Sequence, residues 1–241
     1  MTENTPQEAV AEASLAERLA LSMDFDETRF GLIRATYINL SFAVGTCVIG
    51  ASIGSNISWL SAMMQTWYGA LGALFAINAV PALTHTFRKH AELGFAGLLL
   101  TGFVSGLVLG PLVHGLSSSL LGRDILSQAL LLTTLSFVAV TYKVFTTPRT
   151  YSAPRLLINS LAISALLSCV FSIFYSSSLL QALTTFLIGS LGMVGLVAGT
   201  SSVLKDESID EPISGALMLF ASIFNVFIAC VRILIALADD D

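Results

Sequence analysis

The chain has 241 residues, 55% of them hydrophobic and 11% charged, with a mean hydropathy of +0.83. Soluble domains carry about a quarter charged residues, so a soluble globular fold is excluded and an all-α, polytopic membrane protein is implied. The net charge of −5 reflects acids outside the apolar stretches: in the N-terminal tail, at Asp206, Glu207, Asp210 and Glu211, and at Asp239, Asp240 and Asp241. It points to no nucleic-acid partner.

Residues 1–30 form an acidic tail, expected in the cytoplasm. It has no basic region feeding an apolar core, as a signal peptide would, and its acids exclude a mitochondrial transit peptide. Within it, residues 8–22 carry a partly amphipathic helical pattern. Such a segment serves either as a solvated tail or as a handle for a partner.

The membrane domain occupies residues 31–238, since a span needs about 20 mostly apolar residues. Residues 35–87 contain no charged side chain, and as one helix they would reach about 80 Å at 1.5 Å per residue. They must fold back, and Gly54-Ser-Asn56 supplies turn residues. Spans one and two are therefore placed near 33–54 and 58–80. Span three lies near 93–114 and contains Gly102, Gly106 and Gly110 at four-residue spacing, followed by Pro111. Small residues at this spacing let helices pack by backbone contact, and they also permit bending. Span four lies near 125–146, with Lys143 close enough to its end to snorkel.

Residues 156–204 again carry no charge. They divide at Ser176-Ser-Ser178 into spans near 156–175 and 179–203, the second holding Gly189, Gly192, Gly195 and Gly199. Span seven runs from about 212 to 237, opening on Pro212, a favourable first-turn residue. Residues 239–241 are an acidic C-terminus. Pro81, Pro148 and Pro154 are expected in or beside loops.

Orientation follows from the basic residues. With the N-terminus inside, Arg18, Arg29, Arg34, Arg88, Lys89, Lys143, Arg149, Arg155 and Lys205 lie on the inner side, and Arg123 alone lies in an outer loop.

Span seven carries the chain's most informative polar pattern. Ser222, Asn225, Ala229 and Arg232 recur at steps of three, four and three, so they share one helix face. Polar groups within a membrane segment are costly and usually face protein or water. Arg232 either snorkels to the outer surface or caps a polar cavity with Asn225 and Ser222. Cys47, Cys169 and Cys230 all lie in apolar segments without metal-ligand spacing, as small buried residues do. His85 and His90 flank Arg88 and Lys89 in a basic loop facing the membrane surface, and His114 reads as interfacial. No nucleophile–base pair, phosphate loop, metal motif or cofactor signature is present, so the expectation is a non-enzyme without cofactor.

Several segments, in order, resemble the Bax inhibitor-1 family. Arg34-Ala-Thr-Tyr-Ile-Asn-Leu-Ser41 is similar to its opening helix. Thr101-Gly-Phe-Val-Ser-Gly-Leu-Val-Leu-Gly-Pro111 is similar to its glycine-rich third helix, and Thr146-Thr-Pro-Arg149 to its short basic loop after helix four. Leu219–Leu234 is similar to its last helix, with Asn225 and Arg232 on family positions. The resemblance implies seven helices. It also implies, in calcium-leak members, two facing aspartates in helices six and seven. Here Ser222 takes the helix-seven position, and Gly199 or Ala198 the helix-six position. Calcium prefers anionic oxygen ligands, and no span supplies one. The serine brings the chain closer to the bacterial YccA-like branch, whose members restrain a membrane-anchored, ATP-dependent protease. The resemblance thus implies a partner protease within a lipid bilayer. The alternative is an ion leak channel or transporter, for calcium or protons, with an atypical pore. A bacterial inner membrane is expected, with an internal eukaryotic membrane as the alternative. The oligomeric state is left open.

Overall fold

The computed structural model describes residues 6–87, 90–147, 150, 151, 153, 155–175, 177–205 and 211–239, with side chains described from Arg29 onward except those of Arg155 and Asp239. Their regular structure is all α-helix: α1 Pro6–Ser55, α2 Ser58–Met64, α3 Trp67–Phe87, α4 Ala91–Ser117, α5 Leu120–Thr146, α6 Arg155–Phe174, α7 Ser178–Lys205 and α8 Pro212–Asp239. Seven stretches are long and apolar enough to cross a membrane: Arg29–Ser55 of α1, and most or all of each helix from α3 to α8. Large apolar side chains stand exposed around the bundle, among them Phe42, Phe75, Leu100, Leu131 and Phe186. Such a surface is tolerated in a bilayer and not in water. The chain is an integral membrane protein.

α1 is unbroken for 50 residues. Its first part, including residues 8–22, continues without interruption into the first span, so the tail and span one are one helix. The turn after α1 falls at Asn56 and Ile57, whose N–H groups donate to Ile53 and Gly54 carbonyls at 3.1 and 3.4 Å. Gly54 itself lies in the last turn of α1, packed on α4.

Span two departs from its expected bounds. The 58–80 stretch is divided at Gln65 and Thr66 into short α2 and long α3, and α3 continues to Phe87. Thr66 Oγ1 donates to the Met63 carbonyl at 2.5 Å and accepts from Gly69 N–H at 3.2 Å, closing one helix and starting the next. Pro81 consequently lies inside α3 rather than beside a loop. A membrane helix tolerates the lost backbone hydrogen bond where neighbouring groups or local adjustment compensate. Pro111 lies inside α4. Ser119 caps α5 by accepting from Gly122 N–H at 3.0 Å. Pro148, Pro154, Arg88, Lys89, Arg149 and Ser176 lie outside the described residues.

α8 is the hub: it packs against α1, α3, α4, α5 and α7. The main core joins Leu40 and Ala43 of α1, Leu98 of α4, Leu196 and Val203 of α7, and Ile213, Ala216, Leu217, Leu219 and Phe220 of α8. A second cluster joins Ile125 and Ala129 of α5 to Val231 of α8. The end of the bundle at which α1 enters its span, with Arg29, Thr146, Lys205 and Pro212, is called the near end below. The opposite end carries Ser55, Trp67, Phe174 and Ala238.

Candidate functional site

The polar face of α8 meets α7 in a defined register. A Cβ built on Gly199 would lie 3.3 Å from side-chain atoms of Met218 and Leu219, one on Gly195 would lie 2.5 Å from Ser222 Oγ, one on Gly192 would lie 2.8 Å from Val226 N, and one on Gly189 would lie 3.1 Å from Ala229 Cβ. Every third or fourth residue of α7 is thus a glycine admitting α8. This is the close approach that small residues allow in membranes.

Ser222 lies in this seam with 5% of its surface exposed. Its hydroxyl donates to the Met218 carbonyl at 2.7 Å, within its own helix. That bond satisfies the hydroxyl locally and leaves Gly195 pressed directly upon it. The seam at Ser222 is therefore closed, with no carboxylate on either side. Gly199 stands one turn closer to the near end, against Met218 and Leu219. Ala198 is buried and borders a shallow recess of about 340 Å³ with Tyr151, Ala153, Met193, Val194 and Val197.

The polar residues of α8 do not share one environment. Ser222 is buried, Asn225 is half-buried beside Gly192, and Arg232 is exposed. Among the described residues, no group of three or more His, Cys, Asp or Glu side chains converges as a metal site.

The other glycine stripe serves a different seam. Cβ atoms on Gly102, Gly106 and Gly110 of α4 would lie 2.3 Å from Ala43 O, 2.0 Å from Cys47 O and 2.4 Å from Gly54 C of α1. The approach is mutual: Gly50 and Gly54 of α1 face Phe103 O and Leu107 O of α4 at 2.2 and 2.6 Å by the same measure. Gly50 and Gly54 were not singled out as packing residues from sequence, although their own four-residue spacing was a signal.

Two basic residues that entered the sequence reading only through orientation bind backbone at the near end. The Arg29 guanidinium reaches α7: Nη2 donates to Ser202 O at 2.8 Å and to Val203 O at 3.0 Å. These are last-turn carbonyls, which lack helical partners and attract a cation. Lys205 Nζ donates to Thr147 O. Tyr151 N–H donates to Ser201 Oγ at 2.7 Å. The near end of α7 is thereby tied to α1 and to the segment after α5. At the far end α7 is tied to α6, where Thr184 Oγ1 lies 2.5 Å from Ser168 Oγ and 3.0 Å from Ser172 Oγ.

Comparison with known proteins agrees with this architecture. The family model described as Inhibitor of apoptosis-promoting Bax1 matches residues 29–239, starting at the arginine that caps α7. The uncharacterised protein Cj0236c of Campylobacter jejuni is 23% identical over 218 residues, covering 88% of this chain and 93% of that protein. An uncharacterised membrane protein of Vibrio cholerae is 25% identical over 218 residues, covering 87% and 91%. With the match running through all seven apolar spans, the chain belongs to the Bax inhibitor-1 family of membrane proteins.

Proposed function

We propose that this protein is a non-enzymatic modulator of a membrane-anchored, ATP-dependent protease, acting in membrane-protein quality control. We place it in a bacterial inner membrane with its N-terminus in the cytoplasm. The observation that carries this reading is the closed contact of Gly195 on Ser222. It leaves the midpoint of the α7–α8 seam without anionic oxygen and without space for a hydrated cation, where calcium conduction needs carboxylates. The continuity of α1 from Pro6 into the membrane supports the same reading. A partner gripping the tail would pull on a helix that Arg29 fastens to α7.

Affinity purification of the full chain in mild detergent tests the proposal. A membrane protease is expected to be recovered with it, and deletion of residues 2–22 is expected to release the protease. Recovery of no protease and no other stable partner would sink the proposal.

A second reading, an ion leak, draws on Asn225. Its half-buried amide lies between buried Ser222 and exposed Arg232, so polarity extends from the core toward the far end. A guanidinium on such a route disfavours cations. Reconstitution into liposomes with calcium, proton and chloride dyes separates the readings. Robust calcium flux lost on Ser222→Ala or Asn225→Ala would reverse their order.

A further inference from the structure

The buried threonines of this bundle follow one rule, with an exception. Thr36, Thr84, Thr101, Thr133, Thr184 and Thr185 each donate to the carbonyl four residues back, at 2.7 to 2.9 Å. This local bond is the ordinary way for a helical threonine to satisfy its hydroxyl. Thr200 of α7 departs from it: the residue is fully buried, and its Oγ1 has no partner. Thr141 Oγ1 of α5 and Tyr37 Oη of α1 are enclosed as well, and they approach each other without completing a hydrogen bond. An enclosed hydroxyl left without a partner is costly.

These three hydroxyls come from three helices and share one depth. Tyr37 and Thr141 line a recess of about 370 Å³ between α1, α5 and α7, together with Phe137, Tyr142, Phe145 and Leu204. Thr200 lies one turn inward of Leu204 on the same face of α7. At the near end, Lys205 bonds Thr147 O and Arg29 bonds the last turn of α7, so these groups stand at one level. Counted inward from Lys205, Thr147 and Arg29 at 1.5 Å per residue, Thr200, Thr141 and Tyr37 lie about 8, 9 and 12 Å below that level.

The surroundings define what satisfies them. The recess is walled by apolar groups, with Tyr37, Phe137, Tyr142 and Phe145 supplying aromatic rings. Tyr142 and Phe145 are 69% and 76% exposed, so the recess opens to the bilayer, and these two side chains can turn to admit a molecule to the hydroxyls behind. The interface on each side of a bilayer is about 6 Å deep. The hydroxyls therefore stand inside the hydrocarbon, below the level of phospholipid ester groups. An acceptor at this depth comes from a neutral molecule dissolved among the chains. Carbonyl oxygens accept from hydroxyls, and a flat ring packs on aromatic walls. A quinone ring on an apolar tail combines the two.

We propose that the recess between α1, α5 and α7 binds a membrane quinone, with its ring among the aromatic walls and its carbonyl oxygens accepting from the Tyr37, Thr141 and Thr200 hydroxyls. The test uses the full-length protein in a maltoside detergent, with decylubiquinone as the probe and native mass spectrometry as the readout. A single bound quinone per chain is expected. Decylbenzene, which keeps a ring and tail but has no carbonyl, is expected to bind at least about tenfold more weakly, and phosphatidylglycerol not to displace the quinone. Thr141→Val and Thr200→Val keep the side-chain shape and remove the hydroxyl. Each is expected to weaken the quinone about tenfold, while thermal unfolding of the empty protein stays unchanged or moves upward, because no internal bond is lost. Equal affinity for decylbenzene, displacement by phosphatidylglycerol, or unchanged quinone binding in both valine variants would each overturn the proposal. A clear loss of stability in both variants would overturn it as well, since the hydroxyls would then have partners within the protein.

Discussion

Two glycine-lined seams hold this bundle, and they differ in what the glycines touch. Between α1 and α4, glycine meets backbone: Gly102, Gly106 and Gly110 approach the main chain of α1, while Gly50 and Gly54 approach that of α4. Between α7 and α8, glycine mostly meets side chains: Gly195 meets Ser222 Oγ, Gly189 meets Ala229 Cβ, and Gly199 meets Met218 and Leu219. Backbone cannot retreat without bending a helix, whereas a serine hydroxyl or a methionine can rotate away. The α1–α4 pair is thus the rigid frame. The α7–α8 pair, which carries Ser222 and Asn225, has room to adjust. One glycine in the second seam departs from this rule, since Gly192 faces Val226 N as well as its side chain.

The largest effect is expected in the frame. In Gly106→Ala the new methyl would lie 2.0 Å from the Cys47 carbonyl oxygen, a contact that only separation of the helices relieves. Overpacking of this kind costs about 3 kcal/mol. Thermal unfolding in detergent is expected to show a clear loss of stability, with Gly110→Ala close behind. A Gly106→Ala protein as stable as the parent would mean that α1 and α4 slide freely, and the contrast between the seams would fail.

Next in size is the tie between the tail helix and α7. Arg29→Gln removes charge-assisted bonds to Ser202 O and Val203 O, worth about 1.5 kcal/mol at a half-buried site. Hydrogen exchange is expected to rise in the last turn of α7 and to stay unchanged at the far end. Uniform exchange along α7 would show that the cap is not local.

Much of this architecture was legible in the sequence. Uncharged runs too long for one span forced a fold-back in each, the first after Ser55 and the second between Phe174 and Ser178, and Pro212 marked the start of α8. The division at Gln65 and Thr66 was not, because nothing charged marks it and uncharged polar side chains are common within spans. Glycine spacing announced close packing but named no partner: the span-three stripe meets α1, and the span-six stripe meets α8. The polar stripe of α8 was readable as one face. Its split into buried Ser222, half-buried Asn225 and exposed Arg232 was not, because a helical wheel records angle and carries no information on where a neighbouring helix departs.

Smaller effects test the adjustable seam. Gly195→Ala places a methyl 2.5 Å from Ser222 Oγ. The hydroxyl can turn aside at the cost of its bond to Met218 O, about 1 kcal/mol. Ser222→Ala removes the oxygen that clashes. The double variant is therefore expected to be more stable than the sum of the two single losses, a coupling between residues in direct contact. Strict additivity, measured by unfolding of all four proteins, would place Gly195 and Ser222 out of contact.

The smallest effect carries the opposite sign. Around Gly45 of α1 and Gly72 of α3 no heavy atom lies within 4 Å of a built Cβ. Alanine meets no clash there, and it restricts the backbone more than glycine does, so each substitution is expected to raise stability by about 0.5 kcal/mol. These positions separate the two roles that glycine has in a membrane helix. If glycine serves packing alone, Gly45→Ala and Gly72→Ala leave function intact while Gly106→Ala does not. If glycine serves bending, the two open positions should impair function without lowering stability, because a stiffer helix is then the defect. Partner recovery measured on the same variants as the unfolding curves distinguishes these outcomes, since packing predicts that stability and function fall together and bending predicts that they part.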